Sequence, residues 1–161
     1  MDYLLTNVSM NETKCTTKYR ELIGTKAIAS CIGVLLYDKE NRKAIVGHFN
    51  SNLYDGYEVE DAIRIYTELC NSILDNKLSD DISYLIIPGI VGNKDRINNV
   101  ALELEKYLAN YKKMDIDSSA IKINVETESL EFVFDPEHNM FVTDKFYPYD
   151  DNYTIEYNKT K

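Results

Sequence analysis

From Ala27 to Leu36 the chain is almost wholly apolar, and such a run reads as a strand buried on both faces. The polar stretch "YDKENRK" then turns the chain, and "AIVGHF" brings it back as a second short strand, so a hairpin-like connection is expected. From Glu58 to Leu74, Ala62, Ile63, Tyr66, Leu69, Cys70 and Ile73 recur at three- and four-residue spacing, which predicts an amphipathic helix with its apolar stripe on a sheet. "SYLIIPG" predicts a short buried strand stopped by Pro88 and Gly89, and Ile97, Val100, Ala101, Leu104, Tyr107 and Leu108 mark a second helix, with Asp95 near its start. "AIKINVET", "LEFVFDPE" and "NMFVTD" alternate as three strands of a β-meander, with Asp135, Pro136 and Asn139 as turn residues. This order implies an α+β fold, a layered sandwich in which two main helices pack on a mixed β-sheet.

Composition narrows the class. With 161 residues, 44% of them hydrophobic, and no repeat or Pro/Gly-rich linker, a single domain over residues 1–145 is expected. An acidic, Tyr-rich tail at 146–161 would be an added edge strand, a docking segment or a frayed end. A net charge of −9 without a basic stripe excludes a general nucleic-acid or anionic-membrane binder, which needs clustered Lys and Arg. The opening residues lack a signal-peptide pattern and no segment approaches the roughly 20 apolar residues of a spanning helix, so a cytoplasmic protein without membrane insertion is expected. Cys15, Cys31 and Cys70 form neither an even disulfide set nor a C-x-x-C pair; reduced thiols are expected, and neither a metal nor a cofactor is called for.

Phosphate-binding, zinc-protease, hydrolase-elbow and dinucleotide motifs are all missing. Cys31 alone reads as a small core hydrophobe, Cys70 as part of a helix stripe, and His138 as a solvated turn residue. The strand-like run that follows Cys31, however, ends on His48, one of only two histidines. A cysteine with a histidine within reach is the pairing that nucleophilic catalysis requires.

"TKAIASCIGVLLYD" (25–38) and "IVGHF" (45–49) resemble the signature region of the chemoreceptor glutamine deamidases, the CheD family, whose pattern is T-x-G-x-G-S-C followed by a strand and a G/A-H pair. Weaker likeness runs from Gly24 to Val142, through "YEVEDAIRIYTELCNSIL", "VGNKDRINNVALELEKYL" and "EFVFDPEHNMFV". The resemblance implies an α/β sandwich shared with glutamine-deamidating toxins, with Cys31 as nucleophile, His48 as base and Thr25 as the group that orients His48. Three departures bear on backbone geometry and substrate choice: Ala27 and Ala29 replace family glycines, "HFNSN" replaces H-x-M-L-P, and a shorter "IIPGIVG" replaces a Gly-Gly segment.

Attack by Cys31 on a glutamine carboxamide would release ammonia and leave a thioester for water to hydrolyse. If His48 lowered the thiol pKa from about 8.5 to about 6.5, the thiolate fraction would rise about 25-fold, but the loss of nucleophilicity would leave only about a threefold gain. Protonation of the leaving amine by His48 and oxyanion donors, for which the backbone amides of Ser30 and Cys31 are candidates, must contribute more. Two functions follow. One is a Cys-His-Thr amidohydrolase acting on accessible glutamines of a chemoreceptor-like or other signalling protein. The other is a catalytically weak module of the same fold that docks on such a partner.

Overall fold

The computed structural model describes residues 2–51, 57–143 and 152–156. Its elements in chain order are β1 (Asp2–Asn7), β2 (Glu12–Cys15), β3 (Glu21–Ile28), β4 (Cys31–Asp38), β5 (Lys43–Asn50), α1 (Glu58–Asp75), β6 (Ile82–Pro88), α2 (Lys94–Leu108), β7 (Lys112–Lys113), a 3-10 turn (Ser118–Ala120), β8 (Lys122–Asn124), β9 (Ser129–Asp135), β10 (Met140–Phe141) and β11 (Asn152–Glu156). The layered α+β sandwich holds, with its strands divided between two mixed sheets. Sheet A runs β10-β9-β3-β1-β11, with β8 also on β9, and sheet B runs β2-β5-β4-β6-β7.

One apolar layer, including Ile32, Val34, Leu36, Ile45, Ile65, Leu69, Val100 and Leu104, fills the space between sheet B and the two helices. A second, including Ile23, Ile28, Leu35, Tyr37, Val46, Phe132 and Phe134, lies between the sheets. Alternate residues of β4 therefore feed opposite layers, and all eight of its residues are buried. Each such Leu or Ile contributes about 1.5–3 kcal/mol by leaving water.

Three expectations change. The run from Ala27 to Leu36 is two strands in different sheets: β3 ends at Ile28 in sheet A and β4 begins at Cys31 in sheet B. A continuous apolar run says nothing about a crossover, which is made by the bends at Ala29 and Ser30. In α1 the buried stripe is Asp61, Ala62, Ile65 and Leu69, whereas Ile63 is 46% exposed; the helix is rotated to bury an acidic side chain that the apolar pattern could not include. The strands before Thr25 carry too little alternation to be read from "DYLLTN" and "ETKC". In the tail, Asn152–Glu156 pairs antiparallel with β1 as an added edge strand. The rest of the 146–161 segment lies outside the described residues. The hairpin β4–β5 and the meander β8–β9–β10 form as expected.

Candidate active site

Cys31 is the first residue of the central strand of sheet B. On β5, His48 stands opposite Gly33 and Asn50 opposite Cys31, so His48 and Cys31 are diagonal neighbours on one face. That face looks across the inter-sheet layer toward β3, where Thr25 Oγ1 lies 2.8 Å from His48 Nδ1. Thr25, His48 and Cys31 are 0%, 2% and 5% exposed. The fold thus brings all three sequence-predicted side chains to one end of the layer between the sheets.

Hydrogen-bond bookkeeping fixes the imidazole. The Thr25 hydroxyl donates to the Val8 carbonyl at 2.6 Å, and a hydroxyl has one proton. Thr25 Oγ1 can then only accept at its 2.8 Å contact, so Nδ1 carries the hydrogen and Nε2 the lone pair. Nε2 is buried and has no hydrogen-bond partner among the described residues. Most buried side-chain nitrogens have a hydrogen-bond partner; this imidazole instead keeps its basic nitrogen unengaged, on the face it shares with the thiol.

The charge state corrects the sequence expectation of an acidified thiol. Burial pushes the Cys31 thiol up from its ordinary value, and burial pulls His48 down to about 4. Both shifts disfavour the ion, so the resting pair is neutral thiol and neutral imidazole. Cys31 Sγ does not engage His48 either; it points at Met10 Sδ, 3.5 Å away. Cys15, pushed up to about 11 mainly by burial, is bonded to the Thr16 carbonyl.

The backbone before the nucleophile is held from three sides. The Ser30 carbonyl accepts from Ser51 Oγ at 2.6 Å, and in a trans peptide this turns the Cys31 N–H the opposite way, away from Ser51. Gly89 N–H donates to the Cys31 carbonyl at 2.8 Å and Val91 N–H to that of Ala29 at 3.0 Å. Of Ala27 and Ala29, Ala27 is the one in the left-handed region, at φ 63, where an alanine costs roughly 1–2 kcal/mol.

Gly89 has no room for a side chain. A Cβ there would lie 2.0 Å from the Ala29 carbonyl oxygen and 2.9 Å from that of Cys31, both backbone atoms. Gly89→Ala is expected to destabilise the fold by about 1–3 kcal/mol and to raise alkylation of Cys31 relative to Cys15 and Cys70, as the crossover is pushed off β6. Urea unfolding and peptide mass spectrometry read the two effects; an unchanged midpoint would show that the crossover yields freely.

Sequence reasoning missed Val8, Met10, Ser51 and Gly89. Val8 and Gly89 act through backbone atoms and close approach, and Ser51 through a hydroxyl on a backbone carbonyl, none of which leaves a motif. The turn at "SMNE" carried a signal, since Asn11 adopts φ 64 and asparagine tolerates that region. His138 lies in the β9–β10 turn against Asp135 Oδ2 at 3.1 Å, 41% exposed, away from Cys31. Among the described residues no three His, Cys, Asp or Glu side chains gather as a metal site, and no helix is long and apolar enough to cross a membrane.

No protein-family model matches the chain, and no curated protein matches it. Among solved structures, the hypothetical protein YfiH of Bacillus licheniformis matches with a TM-score of 0.46 at 12% identity, over 75% of this chain and 60% of that one. A Neisseria meningitidis protein of family DUF152 matches with a TM-score of 0.39 at 12% identity, over 80% and 54%. This chain thus spans 60% or less of either protein's length. At that similarity neither bears on the chemistry of the site.

Proposed function

We propose that this chain is a protein-glutamine deamidase in which Cys31 is the nucleophile, His48 the base and Thr25 the residue that holds His48 in its working tautomer. The observation that carries this reading is the buried Nε2 of His48, without a hydrogen-bond partner among the described residues, on the face that bears the Cys31 thiol. In the reaction, Sγ bonds to the carboxamide carbon as its proton passes to Nε2. The C–N bond then breaks, that proton leaves on ammonia, and water adds to the thioester to give glutamate and restore the thiol. Because the resting pair is neutral, proton transfer accompanies attack, and the site does not depend on a standing thiolate. The resemblance in the signature region supports a cytoplasmic setting and a protein substrate of chemoreceptor or other signalling type.

The engagement of Cys31 with Met10 favours a second reading, a docking module of low turnover. Incubation with a panel of glutamine-rich unfolded proteins and helical peptides separates the two. Ammonia release together with glutamine-to-glutamate conversion, lost in Cys31→Ala, is expected. Equal and negligible release from wild type and Cys31→Ala would leave the docking module.

A further inference from the structure

The β1–β2 turn lies over the thiol and is seated firmly. Glu12 N–H donates to the Ser9 carbonyl at 3.0 Å, and Ser9 N–H donates to Glu12 Oε1 at 2.8 Å. Asn11 N–H donates to the His48 carbonyl at 2.6 Å, and Asn11 Oδ1 accepts from Asn50 N–H at 3.2 Å. Met10 projects from the tip of this turn, 55% exposed, with its sulfur 3.5 Å from Cys31 Sγ. Beside it a cavity of about 260 Å³ has Val8, Met10, Ala27 and His48 among its walls. A half-exposed, unbranched side chain thus reaches from the surface to a thiol that is itself 5% exposed.

The length of that side chain is informative. Sδ is the third atom out from Cα in methionine, as the carboxamide carbon is in glutamine. Its separation from Cys31 Sγ, 3.5 Å, is that of reacting atoms in a near-attack geometry, about 3–3.5 Å. His48, whose imidazole would take the thiol proton, is itself one of the residues that line this cavity.

We propose that the space held by the Met10 side chain is the subsite for the reacting side chain of the substrate, and that Met10 fills it in the resting protein as an internal stand-in for glutamine. The proposal rests on the deamidase reading for its chemistry, and on the Met10–Cys31 contact for its geometry. Substrate glutamine takes the subsite by displacing Met10, so the site selects an unbranched side chain whose carbonyl carbon is the third atom out. An asparagine presented from the same backbone position falls short of Sγ by more than about 1 Å, a misplacement worth about 10²-fold in rate.

The protein can be made its own substrate. In Met10→Gln, attack by Cys31 on the introduced carboxamide converts it to a carboxylic acid and releases one ammonia, read by peptide mass spectrometry as a single amide-to-acid change at position 10. Conversion is expected in Met10→Gln, its loss in Met10→Gln/Cys31→Ala, and a rate about 10²-fold lower in Met10→Asn. Met10→Ala tests the geometry without the chemistry: iodoacetamide should label Cys31 faster than in wild type, with Cys15 and Cys70 unchanged as internal controls. Circular dichroism confirms that each variant folds. If Met10→Ala leaves Cys31 labelling unchanged, Met10 does not fill the path to the thiol and the proposal falls, whatever the chemistry. If labelling rises and external glutamine peptides are deamidated while the side chain at position 10 of Met10→Gln persists, the stand-in is overturned and the deamidase reading survives. If neither is converted, the deamidase reading fails and the stand-in falls with it.

Discussion

Arg96→Met is expected to lose about 3–5 kcal/mol of stability, because it takes the guanidinium away from the fully buried Asp61 carboxylate. Arg96 joins α2 to α1 through Asp61 Oδ2, with the two side chains 7% and 0% exposed, and its Nε donates to the Ser51 carbonyl at 2.8 Å. Replacing both charges with apolar groups of similar volume, as in Asp61→Leu/Arg96→Met, removes the buried carboxylate together with its guanidinium and is expected to restore most of the stability, since such exchanges are often neutral or stabilising. Urea unfolding of the three proteins reads this directly; a single variant within about 1 kcal/mol of wild type would reduce the pair to the value of a surface bridge. The double variant has a second use. Ser51 also holds the Ser30 carbonyl, so a protein that regains stability yet loses turnover would show that this buried pair positions the crossover as well as joining the helices.

The second large effect concerns His48. His48→Gln is expected to lower turnover by about 10²–10⁴, the usual contribution of a positioned proton-transfer group. It should also change how the fold responds to acid. An unfolded-chain histidine takes up its proton near pH 6.5, whereas burial delays uptake by the folded His48 until about pH 4. Between those values the unfolded state binds more protons, so stability falls as pH falls through that window and this contribution is fully lost below it. A shift of that size is worth about 3 kcal/mol. Urea unfolding across the window should show wild type losing more stability than His48→Gln, with the two curves running parallel above it. Identical acid slopes would mean that His48 is reached by protons without unfolding. On the deamidase reading, turnover in wild type should rise with pH through the same low value and need no further ionisation, because the thiol would react from its neutral form.

Much of this arrangement was legible in the sequence. The helices and the later strands announced themselves because one buried face imposes a period on residues such as Leu69, Val100 and Phe132. Thr25, Cys31 and His48 stood out only through their resemblance to the glutamine-deamidase signature, since taken singly Cys31 reads as a core hydrophobe and His48 as a structural histidine. The two-sheet division was not legible, since an apolar residue reads alike whichever layer it enters, and the break at Ala29 and Ser30 is made by backbone conformation. The protonation state of the pair was misjudged for a related reason. Sequence places a histidine near a cysteine, but only burial decides whether the two can bear charge. Met10 was invisible because its part depends on the reach of one side chain from one turn.

The Thr25 hydroxyl has two dependants, the Val8 carbonyl at the base of the β1–β2 turn and the imidazole beneath it. Were the whole turn to swing aside, that hydroxyl would be released to donate to Nδ1, the imidazole hydrogen would move to Nε2, and the base would be spent before any reaction began. The turn must therefore stay anchored at Val8 while Met10 alone gives way. On the deamidase reading, an opening made by Met10 alone would be one side chain wide: it would admit a residue that stands out from its own surface, such as one on the flank of a helix, and turn away a segment that had to thread through as an extended strand.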